Sequence, residues 1–289
     1  MMKITPFSFH GSHSGEFCAH AMHGISLEQI LEKRIAAGQK FCGISEHIPI
    51  ALFDEKFRYP EEMEFSAEHF HEILKKYFAT ARALQKKFAG EIEILVGLET
   101  EMPTADSWKK VEEIRTEFSP DFLVGSVHHI FAGAPIDFSP EKFDEITAKN
   151  GGVENLFLQY FARQKILLEK CRPEVVGHFD LIKLFAPRDF QISREIEAAA
   201  RENIEIAIRA GALFEVNSRV FRKIGEPAPG AKFLKIIREL SGKITIGDDS
   251  HGISDIGILW NETLEFVKDC GFDEIFVLRK SGEKPGFKI

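Results

Sequence analysis

The chain has 289 residues, 44% hydrophobic and 28% charged, with a formal net charge of -8. That is the balance of a globular protein able to bury a core without disulfide staples. The acidic excess argues against a broad footprint on nucleic acid. It leaves room for a small anionic substrate, because bound metal ions can dominate a local field. Cys18, Cys42, Cys171 and Cys270 form no CxxC pair, so a zinc knuckle or thioredoxin-like motif is excluded. No apolar run is long enough to span a bilayer, and the first residues, MMKITPFSFH, lack the apolar stretch of a secretory signal. The expectation is a cytoplasmic protein with reduced thiols and no membrane partner.

Short apolar runs alternate with segments of helical period along the chain. The predicted strands are 6–10, 41–45, 92–98, 122–126, 175–178, 213–216, 244–246 and 275–278. The predicted helices between them include 27–37, 67–88, 153–171, 194–210 and 233–240. Ser26 and Ser193 stand where N-caps belong, and Gly38 and Gly211 follow helix ends. Repeated βα units imply a parallel sheet covered on both faces. Seven or eight such units favour an α/β barrel over an open sheet. No GxGxxG follows the first strand, which weakens a dinucleotide-binding reading. Nothing resembling a linker, repeat or low-complexity stretch divides the chain, so residues 1–289 are expected to form a single domain.

The polar landmarks fall at the C-terminal ends of these strands. His10 and His13 follow the first, with His20 just beyond; Glu46 and His47 follow the second. Glu99 ends the third, His128 and His129 the fourth, His178 and Asp180 the fifth. Glu215 and Asn217 end the sixth; Asp248, Asp249 and His251 end the seventh. In a barrel those ends converge on one face, and that face holds the chemistry. Imidazole and carboxylate together suit zinc, iron or manganese. Their number exceeds what one four-coordinate ion needs, which suggests a site with several ions. Paired ions clamp the attacking and leaving oxygens of an in-line displacement. A lone histidine at a strand end is more often a hydrogen-bonded structural residue than a ligand; the repetition is the signal. His69 and His71, two apart on a predicted helix, do not face each other and read as solvated. His23 reads as surface, and His129 as either supporting or structural. Gly97, Gly125, Gly177 and Gly247 precede the landmarks, which fits close approach of a ligand or backbone and equally fits crowding inside a barrel.

These residues resemble the polymerase and histidinol phosphatase (PHP) superfamily, within it the histidinol-phosphatase branch. The matching segments are HGSHSGEFCAHA, GISEHIP, VGLETE, VGSVHH, EVVGHFDLIK, FEVNSRV and GDDSHG, in family order and spread over nearly the whole chain. The resemblance implies a distorted (β/α)7 barrel with up to three divalent ions, Zn, Fe or Mn. It implies His10, His13, Glu99 and Asp249 around the first ion; Glu99, His128 and His178 around the second; His20, His47 and His251 around the third. The eighth predicted strand is then surplus, or an addition outside the barrel. The chain departs from the family's His-x-His opening, because Gly11 and Ser12 both stand between His10 and His13. A bulge would re-aim His10 toward the ion, and the adjacent glycine favours one.

The implied reaction is hydrolysis of a phosphate monoester, L-histidinol phosphate, as in histidine biosynthesis. Glu99, Asp249 and His251 are the candidate catalytic groups, with Asp249 or a nearby histidine as candidate proton donor to the leaving oxygen. Arg219, Arg222 and Lys183 are the candidate phosphate-binding cations. Glu101 and the loop 49–65, with Phe53, Phe57, Arg58 and Tyr59, are candidates for a substrate wall or lid. Alternatives are a phosphoesterase of the same family acting on nucleotides or other small esters, an amidohydrolase-like barrel, or a non-catalytic barrel. Oligomeric state is left open.

Overall fold

The computed structural model describes residues 5–57, 65–133 and 135–289. Six parallel strands form one sheet in sequential order: β1 (Phe41–His47), β2 (Glu93–Thr100), β3 (Phe122–Gly125), β4 (Val175–Val176), β5 (Leu213–Asn217) and β6 (Lys243–Gly247). Nearly every residue of these strands is buried, because helices cover one face and the barrel interior the other. The helices are α1 (Leu27–Ala36), α2 (Ala67–Lys87), α3 (Trp108–Phe118), α4 (Pro140–Lys149), α5 (Val153–Cys171), α6 (Arg194–Ala210), α7 (Ser218–Ile224), α8 (Ala231–Glu239) and α9 (Trp260–Asp269). Helix α2 illustrates why they form: Phe70, Leu74, Tyr77, Phe78, Ala81 and Leu84 recur at helical spacing and make one buried stripe. Ser26 begins α1 in a capping box with Gln29, and Gly211 ends α6 in the left-handed region at φ 76°. None of the described helices is long and apolar enough to cross a membrane.

The segment expected as a first strand over 6–10 behaves differently from the others. It makes a single parallel bridge, Ser8 to Cys42, rather than a ladder. Even so, it closes the sheet. Gly43 N donates to Ser8 O at 2.8 Å on the β1 side, and Phe9 N donates to Ile246 O at 3.4 Å on the β6 side. Counting this segment, seven chain passes ring the core, as the (β/α)7 expectation requires. The predicted eighth strand lies outside that ring: β7 (Glu274–Phe276) pairs antiparallel with β8 (Gly286–Lys288) in a separate two-stranded sheet. Strand β4 is only two residues long, because the chain turns out of the sheet at Gly177 and leads His178 into the barrel mouth.

Register brings the polar strand ends level. His47 pairs with Glu99 across β1 and β2, and Asn217 with Gly247 across β5 and β6. At the opposite end of the barrel, Asp121 ties β2 to α2. Its Oδ2 accepts from Arg82 Nη1 at 2.6 Å, Gln85 Nε2 at 3.0 Å and Val96 N at 2.8 Å. Burial opposes ionisation there, but the Arg82 hydrogen bond and the other donors hold the carboxyl below its ordinary range. Asp121→Asn should therefore lower stability at neutral pH by about 2 kcal/mol, the scale of a charge-assisted hydrogen bond. A group with a depressed folded pKa stabilises fully above its unfolded value, about 4 for Asp, and loses that contribution as pH falls through the folded value. Urea titrations of both proteins should give curves that converge on acidification; a gap that persists in acid would contradict the assignment.

Candidate metal centre

His10 and His13 flank a tight turn at the barrel mouth, with Gly11 at φ 131° and Ser12 at φ 67°. This local bulge brings His10 into the same cluster as His13 despite the two intervening residues. His10 Nδ1 lies 2.9 Å from Glu215 Oε2, which leaves Nε2 facing inward, 3.0 Å from Glu99 Oε2 and 3.8 Å from Asp249 Oδ1. His13 repeats the pattern. Its Nδ1 is 3.2 Å from Glu46 Oε1, and its Nε2 is 3.7 Å from Glu99 Oε2 and 3.6 Å from Asp249 Oδ1.

Glu99 sits at the centre with its two oxygens facing different partners. Oε1 lies 3.1 Å from His128 Nε2 and 3.3 Å from His178 Nε2. Oε2 faces His10 and His13, and His47 Nδ1 at 3.0 Å. His20 Nε2 meets His47 Nε2 at 3.1 Å, and the His13 and His251 rings are 4.3 Å apart. Three ligand groups have atoms that all lie within 4.8 Å of one another: His10, His13 and Asp249; His10, Glu99 and His178; and His13, Cys18, His47 and His251. Cys18 is an addition that the scattered cysteine spacing did not suggest.

Do these residues fit divalent ions? His10 Nε2, His13 Nε2 and Glu99 Oε2 are buried and make no well-directed hydrogen bond among the described residues, although His10 Nε2 and Glu99 Oε2 are only 3.0 Å apart. Buried polar atoms are nearly always satisfied, and each orphan has a price in stability. Here the orphans point at one another, at separations close to the edge of a tetrahedral zinc site, about 3.3 Å for bonds near 2.0 Å. The donor set and its crowding fit metal binding.

The electrostatics show how strongly the carboxylates of this cluster attract positive charge. Burial resists charging His10, yet Glu215, Glu99 and Asp249 together hold it well above the ordinary histidine value. Burial likewise opposes ionising Glu99 and Asp249. The adjacent imidazoles, joined at Asp249 by Arg219, keep both carboxyls well below their usual range. Burial dominates at His47 and His251 and pushes both well down, into the neutral state that a metal ligand needs. Carboxylates behind the rings fix their orientation. Glu215 holds His10, Glu46 holds His13, and Asp137 holds His128 at 3.3 Å. Such partners set the tautomer and raise ligand basicity. Glu46 and Glu215 were visible as strand-end acids, but their supporting role was not; Asp137 lies in a loop that periodicity does not mark.

The candidate phosphate cations separate. Arg219, on α7, lines the cleft with His20, Glu99, His128, His178, Asp249 and His251. It donates to Asp249 O at 3.1 Å and lies against His251 Nδ1. Arg222 points instead to Asp255 at 3.0 Å. Lys183 is spent on Asp180 and Glu226, each at 3.1 Å, and on the Pro227 carbonyl, and it lines a different pocket. In both cases carboxylates nearer in space engage the charge. Lys223, one turn after Arg219, lines the cleft in their place. Glu101 lines the cleft that opens onto His20, His47 and His128, and it is hydrogen-bonded as well. It accepts from His128 N at 2.9 Å and faces His129 Nδ1 at 2.9 Å, so it anchors the 128–129 turn. His129 therefore supports Glu101, and Phe57 packs edge-on against its ring. Phe53 is half-buried against the core, while Arg58 and Tyr59 lie outside the described residues. His23 is exposed, and His71 pairs with Glu117. His69 is exposed but not idle. Its ring stacks on Phe65 at 4.5 Å, and both line a cleft that opens onto His20, His47 and His128. The glycines answer to crowding. At Gly247 the Glu215 carboxylate occupies the place of a Cβ.

The sequence model of the family described as "PHP domain" matches residues 10–219. A protein of Schizosaccharomyces pombe named "Probable histidinol-phosphatase" is 34% identical over 97% of this chain and 92% of its own. The hisK protein of Listeria monocytogenes has a similar fold, with a TM-score of 0.77 at 24% identity, over 89% of this chain and 99% of that one. Histidinol phosphate phosphatase of Lactococcus lactis subsp. lactis, solved with zinc, L-histidinol and phosphate, gives 0.66 at 18% identity, over 98% of this chain and 100% of that one. The family match covers most of the chain, and the strand-end histidines and carboxylates lie at the mouth of the barrel. The chain belongs to the PHP domain family.

Proposed function

We propose that the chain is a histidinol-phosphatase, hydrolysing L-histidinol phosphate to L-histidinol and phosphate at a divalent metal centre. The observation that carries this reading is Glu99, whose two oxygens face separate sets of imidazoles. The similarity to proteins named histidinol-phosphatase, one of them holding zinc, L-histidinol and phosphate, supports the substrate. We assign His10, His13, Glu99 and Asp249 to one ion, Glu99, His128 and His178 to a second, and His20, His47 and His251, with Cys18 within reach, to a third. When bound, such ions supply Lewis acidity toward the phosphoryl oxygens and ease deprotonation of the attacking water.

The chain's own residues do the rest. Arg219 and Lys223, one helical turn apart, flank the cleft and grip the phosphate, the first as a planar fork and the second as a point charge. Asp249, held anionic, suits a cation and would accept rather than supply a proton. Phe17, Phe65, His69 and Phe70 line the adjoining cleft and offer flat apolar walls to the imidazole ring of the substrate. The core joins Phe7 to Leu278 in one apolar cluster, and on that ground we treat residues 1–289 as one working unit. All four cysteines are buried and unpaired, which suits a reducing compartment such as the cytoplasm.

The test is phosphate release from L-histidinol phosphate beside a panel of nucleoside monophosphates, before chelation, after it, and after adding back Zn, Fe or Mn singly. Histidinol phosphate should be preferred, and activity should vanish and return with metal. Equal or better turnover of nucleotides would replace the substrate, and full activity in stripped protein would remove the metal centre. In the same assay Arg219→Ala should raise KM by about tenfold or more, the loss expected for one charge-assisted contact. An unchanged KM would free Arg219 from the phosphate role.

A further inference from the structure

Behind the cluster lies a polar group that the proposed chemistry does not use. Arg34 of α1 points into the protein and is fully buried. Its five N–H groups are all engaged. Nε donates to Ser12 Oγ at 2.9 Å, and Nη1 to Gln39 Oε1 at 3.1 Å and Asp248 Oδ2 at 2.9 Å. Nη2 donates to Asp248 Oδ1 and Ser250 Oγ, both at 2.9 Å. Asp248 is filled in turn, accepting from Ser250 N at 3.3 Å and Gly257 N at 3.1 Å. Ser250 Oγ also accepts from Ser12 N at 2.9 Å.

A buried ion pair is a poor source of stability, since apolar residues of the same volume often do as well. What a fully satisfied network does provide is a fixed arrangement of the chain segments it joins. This one joins α1 to the two turns that present His10, His13 and Asp249. Those turns adopt backbone that needs holding. Ser12 at φ 67° and Asp249 at φ 45° are left-handed without being glycine. The turns are also knitted to each other, by Asp249 N to His10 O and His13 N to Ser250 O, each 2.9 Å. Gly11 has no room to relax: a Cβ there would lie 2.5 Å from Ser250 N and 2.7 Å from Asp248 Oδ1.

We propose that Arg34 and Asp248 are positioning residues, a buried clamp that holds the Gly11–Ser12 and Asp249 turns so that His10, His13 and Asp249 converge on one cation. The proposal rests on the metal-centre reading above. Arg34 touches no ligand side chain; it acts through Ser12, Asp248 and Ser250.

The test uses Co(II) alone as the probe, titrated into metal-stripped full-length protein and followed by its visible spectrum and by competition with a chelator. Three variants are compared with wild type. Ser12→Ala removes one acceptor of the clamp, and Arg34→Lys keeps the charge but loses the fork. Arg34→Met with Asp248→Asn removes both charges together. Each variant should bind Co(II) at one class of site roughly 10- to 100-fold more weakly, the usual effect of losing an outer support of a metal ligand, with an altered spectrum. Arg34→Lys should not restore the wild-type value, because one ammonium cannot span three segments. Folded variants with wild-type affinity and spectrum would overturn the clamp while leaving the metal centre standing. A wild-type protein that takes up no Co(II) would overturn both. Should the double variant not fold, Ser12→Ala decides.

Discussion

Glu99→Gln should lower phosphatase turnover by about a thousandfold or more and leave the barrel folded. A thousandfold corresponds to about 4 kcal/mol of transition-state stabilisation, a reasonable share for a charge joining two ion sites. The amide keeps the size of the side chain but replaces an anion having two acceptor oxygens by one acceptor and one donor group. His10, His13 and His47 on one side, and His128 and His178 on the other, would then lack their shared counter-charge. Stability should suffer less than catalysis. Glu99 is held well below its ordinary pKa, so its folded-state contribution exists above the unfolded value, about 4.3, and is absent in acid. Metal counting on the purified variant, with phosphate release and a thermal melt, separates the effects. Turnover within tenfold of wild type would remove Glu99 from its central role.

Gly247→Ala should damage both the stability of the fold and the support of the metal centre. The Glu215 carboxylate occupies the space where the new Cβ must go. Displacing it would unhook His10 Nδ1, 2.9 Å away, and His178 N, 2.7 Å away, together with the Asn217 amide at 3.1 Å. Overpacking and loss of a buried, fully used carboxylate should together lower the unfolding free energy by about 3 kcal/mol. Metal affinity should fall as well, roughly 10- to 100-fold, since the support behind His10 would be lost. Denaturant midpoints and a metal titration check the two parts. An alanine variant of wild-type stability would mean that Glu215 has another place to go.

Which of these features could be foreseen from residues alone? The strand-end acids and histidines could, because a parallel barrel gathers those ends on one face whatever the details of packing. Glu99 was legible through the family resemblance as a centre shared between His10 and His13 on one side and His128 and His178 on the other; the structure adds His47 beside Oε2. The partners behind the ligands were harder. Glu215 stands at a strand end like any ligand, and only the structure separates the two roles by placing its oxygen on His10 Nδ1. Asp137 lies in an irregular loop, where no period marks it. The ion pairing of the cations was hidden for a different reason. Lys183 and Arg222 follow the right strands, but Asp180, Glu226 and Asp255 reach them first, and such pairing depends on loop paths that spacing does not encode. The first strand was placed correctly along the chain but overestimated, because its job is to close a seam with few hydrogen bonds.

That seam has a consequence for the order in which the molecule is assembled. The segment that closes the barrel also brings His10 and His13, and it closes onto β6, more than two hundred residues later in the chain. His10 meets Glu215 across 205 positions, and Ser12 meets Ser250 across 238. Contacts so distant in sequence form late, since the loop between them must be closed first. A chain emerging from the ribosome therefore offers its earliest histidines to the solvent long before their partners exist. On the proposed assignment the cluster comes together only when the last barrel strand has been made, so complete metal loading would be a property of the finished fold and not of any shorter piece.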